Sequence, residues 1–497
     1  MTEKKLLQPI DKISVSLMLV MMVIISVLIW RVGKTVPKVR TFSWDSKTIG
    51  AEDTAFIVTF SRPMEKVSVE KNLRITPPLP GKFSWAGRKL AYTLESPAPY
   101  GNNYRVSLEG AREQFQAKNH QGKAIQPFET GFRTRDRAFV YIGVGNEEGQ
   151  LILQNLTTDQ KVVLTPHNLV VTDFEAYPQG DKILFSATSR KDLNEGLQTD
   201  KLYTVTTGIN PQPTKSNTNN SVGTIELILD SKDYQNLKFD LSQNGKNLVV
   251  QRLSRKNPTD FALWLLKPDS KPQRLARDPG GDFLIAPDSE TIAITQGEGI
   301  ELAPLDINAE AEPLDFLPKY GRILDFSRDG STAAMVNFNT NDPELRYTQS
   351  LHYVNNRGEQ KKLLTIPGSI RECKFDPSVT KIYCILAQRV EDAEEYQEQP
   401  YLAVIDLEKE QAVPIAFLPN QLDIKMSVSN DGLGLLLDQA MTSPNPYSKG
   451  LMITSAGETI VDGKLWLLVT SSSIPNQSLG SQLQELPMRG VRPQWLP

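Results

Sequence analysis

A twelve-residue pattern of apolar and polar positions recurs six times between residues 174 and 437. In each copy two apolar residues flank a third residue, which is polar in every copy except the third. A polar turn follows, and two more apolar residues alternate after the turn. The copies align without gaps and read FEAYPQGDKILF from 174, FDLSQNGKNLVV from 239, FLIAPDSETIAI from 283, LDFSRDGSTAAM from 324, CKFDPSVTKIYC from 373 and MSVSNDGLGLLL from 426. A period of two on both sides of a turn predicts a β-hairpin with one buried face.

The spacing of the copies predicts how the hairpins are assembled. The seventh residue of each copy serves as a reference, and the six references are Gly180, Gly245, Ser289, Gly330, Val379 and Gly432. They lie 65, 44, 41, 49 and 53 residues apart. Repeats of about 40–50 residues built from hairpins are typical of a β-propeller with four strands in each blade. The polar insertions at 207–222, 391–399 and 441–449 are interpreted as solvated loops, a place where partner contacts often lie.

The two ends of this region predict a seventh, composite blade. Residues 138–165 have the pattern of the last three strands of a blade that lacks its first. When Pro497 is aligned with Pro178, Trp495 falls on the apolar position four before the reference. The terminal PQWLP is therefore predicted to supply the missing strand, which would bury two sheet edges.

Residues 137–497 resemble the WD-repeat-like propellers of the TolB type, whose repeat core reads roughly f-S-P-D-G-k-x-I-a-F. The copies here are imperfect, since only Asp288, Asp329 and Asp431 keep the acidic residue beside the turn, and Ser289 and Val379 replace its glycine. The resemblance implies a propeller of the bacterial envelope. A TolB-like role in an envelope complex is one possibility, although that family's usual N-terminal domain does not precede this propeller.

Residues 41–136 predict a small β-sandwich. Alternating strands are expected at 55–61, 73–77, 82–87, 89–96, 103–110 and 128–134, a number and spacing typical of immunoglobulin-like domains. The segment from Val58 to Met64 (VTFSRPM), the strand LRITP from Leu73, the hairpin 81–94 and the tyrosine segment 97–106 resemble bacterial Ig-like domains of the S-layer-protein type. The long polar stretch 113–126 departs from that family. The resemblance implies a stalk or spacer, and less often an adhesive or sugar-binding module.

The start of the chain predicts a transmembrane anchor. Ile13 to Trp30 is an eighteen-residue run without a charge, close to the length that spans a bilayer as a helix. A cleaved signal peptide is the alternative, but the run is long for one and Trp-Arg-Val-Gly-Lys stands where small residues would mark cleavage. Residues 1–12 are then predicted to be cytoplasmic, 31–40 to be a linker, and the bulk of the chain to be periplasmic or extracellular.

The composition gives no sign of a catalytic or nucleic-acid-binding protein. The 497 residues carry a net charge of −3 with both signs interspersed, whereas nucleic-acid binding usually needs a basic face. The three histidines, His120, His167 and His352, have no metal-ligand spacing, and no P-loop, GxGxxG or GxSxG motif is present. No catalytic residue, cofactor or metal site is therefore predicted.

The two cysteines, Cys373 and Cys384, lie in the fifth hairpin, six before and five after its reference. The register that pairs them also pairs Phe375 with Ile382, so their Cα atoms are expected within disulfide range. A cross-strand disulfide would suit an oxidising compartment, and two buried thiols are the alternative.

These patterns together predict an all-β protein behind an N-terminal transmembrane helix: an Ig-like sandwich followed by a seven-bladed propeller. The expected role is non-catalytic, a binding or scaffolding platform for another envelope protein or polysaccharide. The competing hypothesis is a hydrolase or lyase acting on envelope polysaccharide in the propeller channel. Converging carboxylates of raised pKa in the channel would favour the enzyme, and small apolar and hydroxyl residues would favour the platform.

Overall fold

The computed structural model of the chain describes residues 9–114, 122–209, 221–297, 299–305, 315–391, 396–421, 423–443, 451–470 and 483–497. The chain divides into two compact units. The first contains Met1–Ile49, Asp53–Glu95 and Asn103–Arg133, and the second contains Gly50–Glu52, Ser96–Asn102 and Thr134–Pro497.

The first unit begins with helix α1, Pro9–Lys34, which covers the whole predicted anchor from Ile13 to Trp30. The side chains of residues 13–26 are all exposed. Within the part of the chain that the structure describes, no helix combines the length and the apolar character needed to cross a membrane.

Eight strands form two four-stranded antiparallel sheets in the first unit, in the orders β1-β3-β6-β5 and β2-β8-β7-β4. All six predicted strands are present. Strands β1 and β2 and helix α2 were not predicted, and β1 begins at Val39, inside the predicted linker 31–40. The elements are β1 Val39–Phe42, β2 Thr48–Ile49, β3 Ala55–Phe60, α2 Lys66–Asn72, β4 Leu73–Thr76, β5 Gly81–Ala86, β6 Lys89–Leu94, β7 Asn103–Leu108 and β8 Phe128–Thr134.

Aromatic side chains join the two sheets. Phe56 of β3 is fully buried, and its ring lies 5.2 Å from that of Trp44, centroid to centroid. Trp44 in turn lies 5.0 Å from Phe132 of β8, edge to face. Edge-to-face contacts between aromatic rings stabilise a fold beyond the free energy gained by burying the rings. This aromatic cluster therefore forms the core of the unit.

The second unit is a β-propeller of seven four-stranded antiparallel blades. Two long strands, β27 and β34, each run from the outside of one blade to the inside of the next. The first three blades are β12 Leu169–Ala176, β13 Lys182–Ser189, β14 Lys201–Thr206, β15 Ile225–Leu229; β16 Tyr234–Leu241, β17 Leu248–Ser254, β18 Phe261–Leu266, β19 Gln273–Arg274; and β20 Phe283–Ile285, β21 Thr291–Gln296, β22 Gly299–Pro304, β23 Asp315–Leu317.

The fourth and fifth blades share β27, and the sixth and seventh share β34. Their strands are β24 Arg322–Phe326, β25 Thr332–Asn337, β26 Thr348–Asn355, β27 Gln360–Phe375, β28 Lys381–Arg389, β29 Glu398–Asp406, β30 Gln411–Phe417, β31 Met426–Val428, β32 Gly434–Ser443, β33 Thr459–Val469 and β34 Leu483–Trp495, with β9 Ala138–Gly143, β10 Leu151–Asn155 and β11 Gln160–Val163 completing the seventh blade. The short helix α3, Arg190–Asn194, follows β13.

The seventh blade is composite, as predicted. Strand β34 pairs with β9 so that Trp495 lies opposite Phe139, and the Leu496 N–H donates to the Ala138 carbonyl over 2.9 Å. Trp495 is buried and its ring meets that of Phe139 edge to face at 5.7 Å. Residues from the two ends of the propeller sequence therefore form one sheet.

The predicted hairpin register is present in all six copies, with one correction. The reference residue has a positive φ in each copy, including Ser289 at 64° and Val379 at 55°. In the fourth copy Leu324 was expected to pair across the hairpin, but a β-bulge there makes Ile323 the partner of Met335. One extra residue in the strand shifts the side chains that precede it, which the gap-free alignment could not show.

Cys373 and Cys384 face each other across the fifth hairpin, in the predicted register with Phe375 opposite Ile382. The structure joins them by a disulfide, with the Cα atoms 4.1 Å apart. Both side chains are fully buried in an apolar cluster between the fourth and fifth blades.

Candidate functional site

A cavity of about 860 Å³ lies where the inner strands of the blades end. Six of the seven blades contribute to its lining, and none of the described residues of the third blade does. The wall is mainly polar and carries both signs of charge, with the carboxylates of Asp173, Glu175, Asp325 and Glu372 and the cations Lys374, Lys425 and Arg492. This channel mouth is the candidate functional site.

One charged residue at the same level of the inner strand of each blade, about seven positions before the reference, belongs to a set that we call the charge ring. In blade order its members are Asp173, Lys238, Asp282, Arg322, Glu372, Lys425 and Arg492. Their signs alternate through the first six blades, and two cations follow each other at the sixth and seventh. Neighbours of opposite sign attract, and two such pairs are in contact: Lys238 with Asp282, and Arg492 with Asp173 at 3.1 Å.

β-bulges place several of these residues. A bulge directly precedes Asp173, Lys238 and Glu372 in their strands. In the fourth blade the bulge lies at Leu324, and Arg322 then pairs opposite Val336, as Asp173 pairs opposite Ser186 in the first blade. Bulges often re-aim side chains next to functional sites, and here they bring charge to the same level of each strand.

The polar residue of the repeated pattern, five before the reference, forms a second level. Three carboxylates and one hydroxyl at this level accept a hydrogen bond from a backbone N–H of the next blade; we call them tie residues. Glu175 accepts from Leu241 over 2.9 Å, Asp240 from Ile285, Asp325 from Phe375 over 3.0 Å, and Ser427 from Trp495 over 3.0 Å. In every case the donor lies four before its own reference, so one interaction recurs at four of the seven junctions.

The other three junctions do not make this bond among the described residues. Leu284 and Lys374 occupy the equivalent positions in the third and fifth blades, and neither side chain can accept a hydrogen bond. Gln494 occupies it in the seventh blade, where its Oε1 atom is buried without a partner among the described residues.

Burial raises the pKa of the carboxylates on the inner strands. It raises the pKa of Glu175 well above its usual range, and the nearby carboxylate of Asp240 adds to the shift. Burial raises the pKa of Asp240 to about 6, and the pKa values of Asp325 and Glu372 are raised for the same reason. A buried carboxylate is costly unless it is hydrogen-bonded or paired, so the ties and the nearby cations partly offset the cost of ionising them.

Lys374 lies among these carboxylates. Its ammonium group is 3.3 Å from Asp325, and the negative charge of Asp325 is the largest cause of its raised pKa. Glu372 is close enough to Lys425 and Lys374 for both to oppose the rise in its pKa. The Glu372 side chain makes no ion pair within 4.0 Å and no hydrogen bond among the described residues, and it is half-buried at the wall.

The junction between the sixth and seventh blades is built around Asp438. This buried carboxylate accepts from the backbone N–H groups of Lys425 and Arg492, each over 2.7 Å. Burial raises its pKa to about 6. Asp438 therefore fixes the backbones of two charge-ring members and directs neither of their side chains.

The residues predicted from the sequence lie away from this site. Cys373 and Cys384 are in the core and do not line the channel mouth. His167 is exposed, and His352 is buried against Tyr320 with a pKa lowered to about 4 by burial. His120 and most of the three predicted insertion loops lie outside the described residues. Across the described ranges, no three His, Cys, Asp or Glu side chains are placed to hold a metal ion.

Sequence reasoning missed the two levels of the channel. The sequence did contain a signal for the second level, at the position between the two apolar residues of each copy. This position is occupied in turn by Glu175, Asp240, Leu284, Asp325, Lys374 and Ser427. Three of the six residues carry a carboxylate, one is a lysine and one is a serine, which is an unusually polar content for the inner strand of a buried sheet. The charge ring was harder to find, since Arg322 reaches its position only through the bulge.

No protein-family model matches the chain, and no curated protein matches it. Among solved structures, TolB from Acinetobacter baumannii is similar at 12% identity, with 86% of this chain and 83% of that chain covered and a TM-score of 0.40. An oligogalacturonate lyase in complex with manganese matches at 11% identity over 68% and 91%, with a TM-score of 0.45. The oligogalacturonate lyase from Vibrio parahaemolyticus matches at 11% identity over 68% and 95%, with a TM-score of 0.40. Likenesses this distant carry no argument about activity.

Proposed function

We propose that the chain is a membrane-anchored, extracytoplasmic binding protein of a bacterial cell envelope, in which an Ig-like unit carries a non-catalytic propeller. The channel mouth would hold a polar segment of a partner protein. The observation that carries this proposal is the use of the carboxylates on the inner strands: Glu175, Asp240 and Asp325 each accept a hydrogen bond from a backbone N–H of the next blade. Groups used in this way hold the blades together and are poorly placed to exchange protons with a substrate.

The anchor and the compartment rest on the sequence. The uncharged run from Ile13 to Trp30 lies within one helix, α1, as a membrane segment would require. The Ig-like assignment rests on the VTFSRPM and LRITP segments, which coincide with β3 and β4 and the turn between them. The disulfide between Cys373 and Cys384 suits an oxidising compartment.

The partner is the first thing to identify. Photo-crosslinking from the intact membrane, with a crosslinking residue at the exposed Gln179 of the channel mouth, should capture one envelope protein reproducibly. A matched residue at the exposed Lys409, on a turn of the fifth blade outside the lining, is the control. Equal yields from both positions, or no adduct from Gln179, would overturn the assignment of the channel mouth as the binding surface.

The compartment has its own tests. Protease added to spheroplasts should digest the propeller, and full protection of residues 41–497 would rule out an external location. Alkylation of the freshly isolated chain followed by mass analysis, with and without reductant, should show alkylation of Cys373 and Cys384 only after reduction. Free thiols in the fresh chain would contradict the oxidised state.

A second candidate function, a hydrolase or lyase for envelope polysaccharide, is favoured by Glu372. The channel does contain converging carboxylates of raised pKa, the pattern expected of the enzyme, and Glu372 is the one at the wall without a tie among the described residues. A carboxyl group of raised pKa can serve as a general acid. Purified wild type should then cleave envelope polysaccharide and Glu372→Gln should not, while the surface variant Glu485→Gln keeps the activity. Absence of cleavage by wild type would remove this candidate.

A further inference from the structure

We propose that the junction of the sixth and seventh blades is a carboxylate-binding subsite of the channel mouth, formed by Lys425, Ser427, Arg492 and Gln494. The inference rests on the proposed function and deepens it, because it names the chemical group of the partner that this wall receives. All four residues line the cavity of about 860 Å³.

The charge distribution of the channel singles out this junction. Each of the first five blades contributes at least one carboxylate at the two levels of the inner strand, and together they supply six: Asp173, Glu175, Asp240, Asp282, Asp325 and Glu372. The sixth and seventh blades contribute none. They supply two cations, one hydroxyl and one amide at these levels. The carboxylate of Asp438 is buried outside the cavity lining, where it accepts from two backbone N–H groups, so among the inner strands an anion meets the least repulsion at this part of the wall.

The break in alternation has a simple origin. Seven blades are an odd number, so signs that alternate around a closed ring must repeat once. The repeat falls on Lys425 and Arg492, whose backbones are fixed together by Asp438 at 2.7 Å from each N–H. An external anion between them would restore the alternation.

The two cations differ in how far they are already neutralised. The Arg492 guanidinium is 3.1 Å from Asp173 and also donates to the Thr172 carbonyl over 2.7 Å. Lys425 is exposed and has no ion-pair partner within 4.0 Å among the described residues. Lys425 is therefore the primary cation of the subsite, and Arg492 contributes a longer-range positive field.

Polar donors complete the subsite. The Ser427 oxygen accepts from the Trp495 N–H, which leaves its own proton free to donate into the channel. The Gln494 amide carries two further N–H donors. An ammonium, a hydroxyl and an amide around one space match the two oxygens of a carboxylate, and charge-assisted bonds of this kind are the strong ones. We therefore assign to the partner's segment an Asp or Glu side chain, or a terminal carboxylate, at this position.

The test uses the detergent-solubilised full chain and two small probes, sodium acetate and sodium phosphate, with ionic strength held constant by sodium chloride. Ligand binding to the folded state raises the unfolding temperature in a saturable way. We expect saturation with acetate. Lys425→Gln should raise the acetate concentration at half-saturation by at least about tenfold, as loss of a charge-assisted hydrogen bond predicts, and Lys425→Arg should keep most of the effect.

Lys238→Gln is the matched control, because it removes the same charge from the same level of the ring where Asp282 already pairs with it. Its half-saturation value should stay within about twofold of wild type. No saturable acetate effect, saturation with phosphate alone, or equal effects of Lys425→Gln and Lys238→Gln would each overturn the subsite. If a partner is still captured through the channel mouth in those cases, the proposed function stands and only this inference fails.

Discussion

The first five blades and the junction of the sixth and seventh use one backbone repeat in two ways. In the first five blades the inner strands carry carboxylates, and three of them tie one blade to the next through a backbone N–H. At the sixth–seventh junction the equivalent tie is made by the neutral Ser427, and the charged side chain of Lys425 is exposed at the wall. The inner strand can therefore use its charged side chains either to hold neighbouring blades together or to expose them to solvent at the channel wall.

The difference shows what the scaffold requires. A tie needs an acceptor only, and a serine provides it without burying a charge. The carboxylate ties bring a desolvation cost, which neighbouring cations such as Lys374 offset. The serine tie itself avoids that cost, and the exposed Lys425 at this junction has no ion-pair partner among the described residues, so the junction is the better place for a ligand.

The largest effect is expected from removing residues 492–497, which breaks the sixth–seventh junction itself. Without this segment Phe139 and Val140 of β9 lose their partners in β34, and the buried Trp495 and Leu496 are lost from the core. Each deletion of a large buried side chain costs about 3–5 kcal/mol, so the free energy of unfolding should fall by more than about 5 kcal/mol. Denaturant unfolding followed by circular dichroism measures it.

The matched control for this truncation is Glu485→Ala, at the outer part of the same strand β34, where the side chain pairs with Lys464 near the surface. That change should cost less than about 1 kcal/mol. An unchanged unfolding curve after truncation would mean that the composite blade contributes nothing to cohesion.

Asp325→Ala and Ser427→Ala compare the two kinds of tie directly. Asp325→Ala frees the Phe375 N–H and leaves Lys374 without its 3.3 Å partner, so it should destabilise the propeller by about 3 kcal/mol. Ser427→Ala removes one neutral hydrogen bond and should cost about 1 kcal/mol. The same unfolding measurement applies, and equal losses at the two junctions would contradict the distinction between charged and neutral ties.

The pH dependence separates the buried carboxylates from the exposed ones. The pKa of Asp438 is raised to about 6 in the folded protein, against about 4 in an unfolded chain. Between these values the folded state holds a proton that the unfolded state releases, so stability falls as the pH rises from about 4 to about 6. Asp438→Asn should reduce this fall, by about 2 kcal/mol, in unfolding curves recorded across that range.

Two further variants sharpen the pH measurement. Asp240, with a pKa also near 6, should contribute a similar fall, so Asp240→Asn combined with Asp438→Asn should flatten the profile further. Asp406→Asn changes a half-buried carboxylate at the end of β29, whose pKa is lowered by hydrogen bonds from Lys409, and it should leave the fall in place. A profile that rises between pH 4 and 6 in wild type would contradict the raised pKa values.

The fold was largely predictable because its apolar pattern is local and repeated. The register of Cys373 with Cys384 and the place of Trp495 both follow from counting positions along the strand. Strands β1 and β2 were missed because two to four residues are too few to show a period. The candidate site was not predicted, because it depends on the bulges that place Arg322 and on which blades become neighbours.

The smallest effect on stability is expected at the hairpin turns of the fifth and sixth blades, which lie on either side of the boundary between the first five blades and the sixth–seventh junction. Val379 in the fifth blade and Gly432 in the sixth occupy the same turn position, with φ of 55° and 73°. A β-branched residue is strained there, at a cost of about 1–2 kcal/mol, whereas glycine is not.

Val379→Gly should therefore stabilise the chain by about 0.5 kcal/mol. The gain is small because the relief of strain is partly offset by the loss of valine packing and by the greater conformational freedom of glycine in the unfolded chain. Gly432→Val should destabilise it by about 1–2 kcal/mol, since a Cβ there would also lie 3.3 Å from Pro377. Paired thermal unfolding curves measure both changes. If Val379→Gly stabilises the chain and Gly432→Val destabilises it, the turns of the two regions follow the same backbone rule, and the regions differ only in their channel side chains. If both substitutions destabilise the chain, the turn of the fifth blade has adapted to its valine.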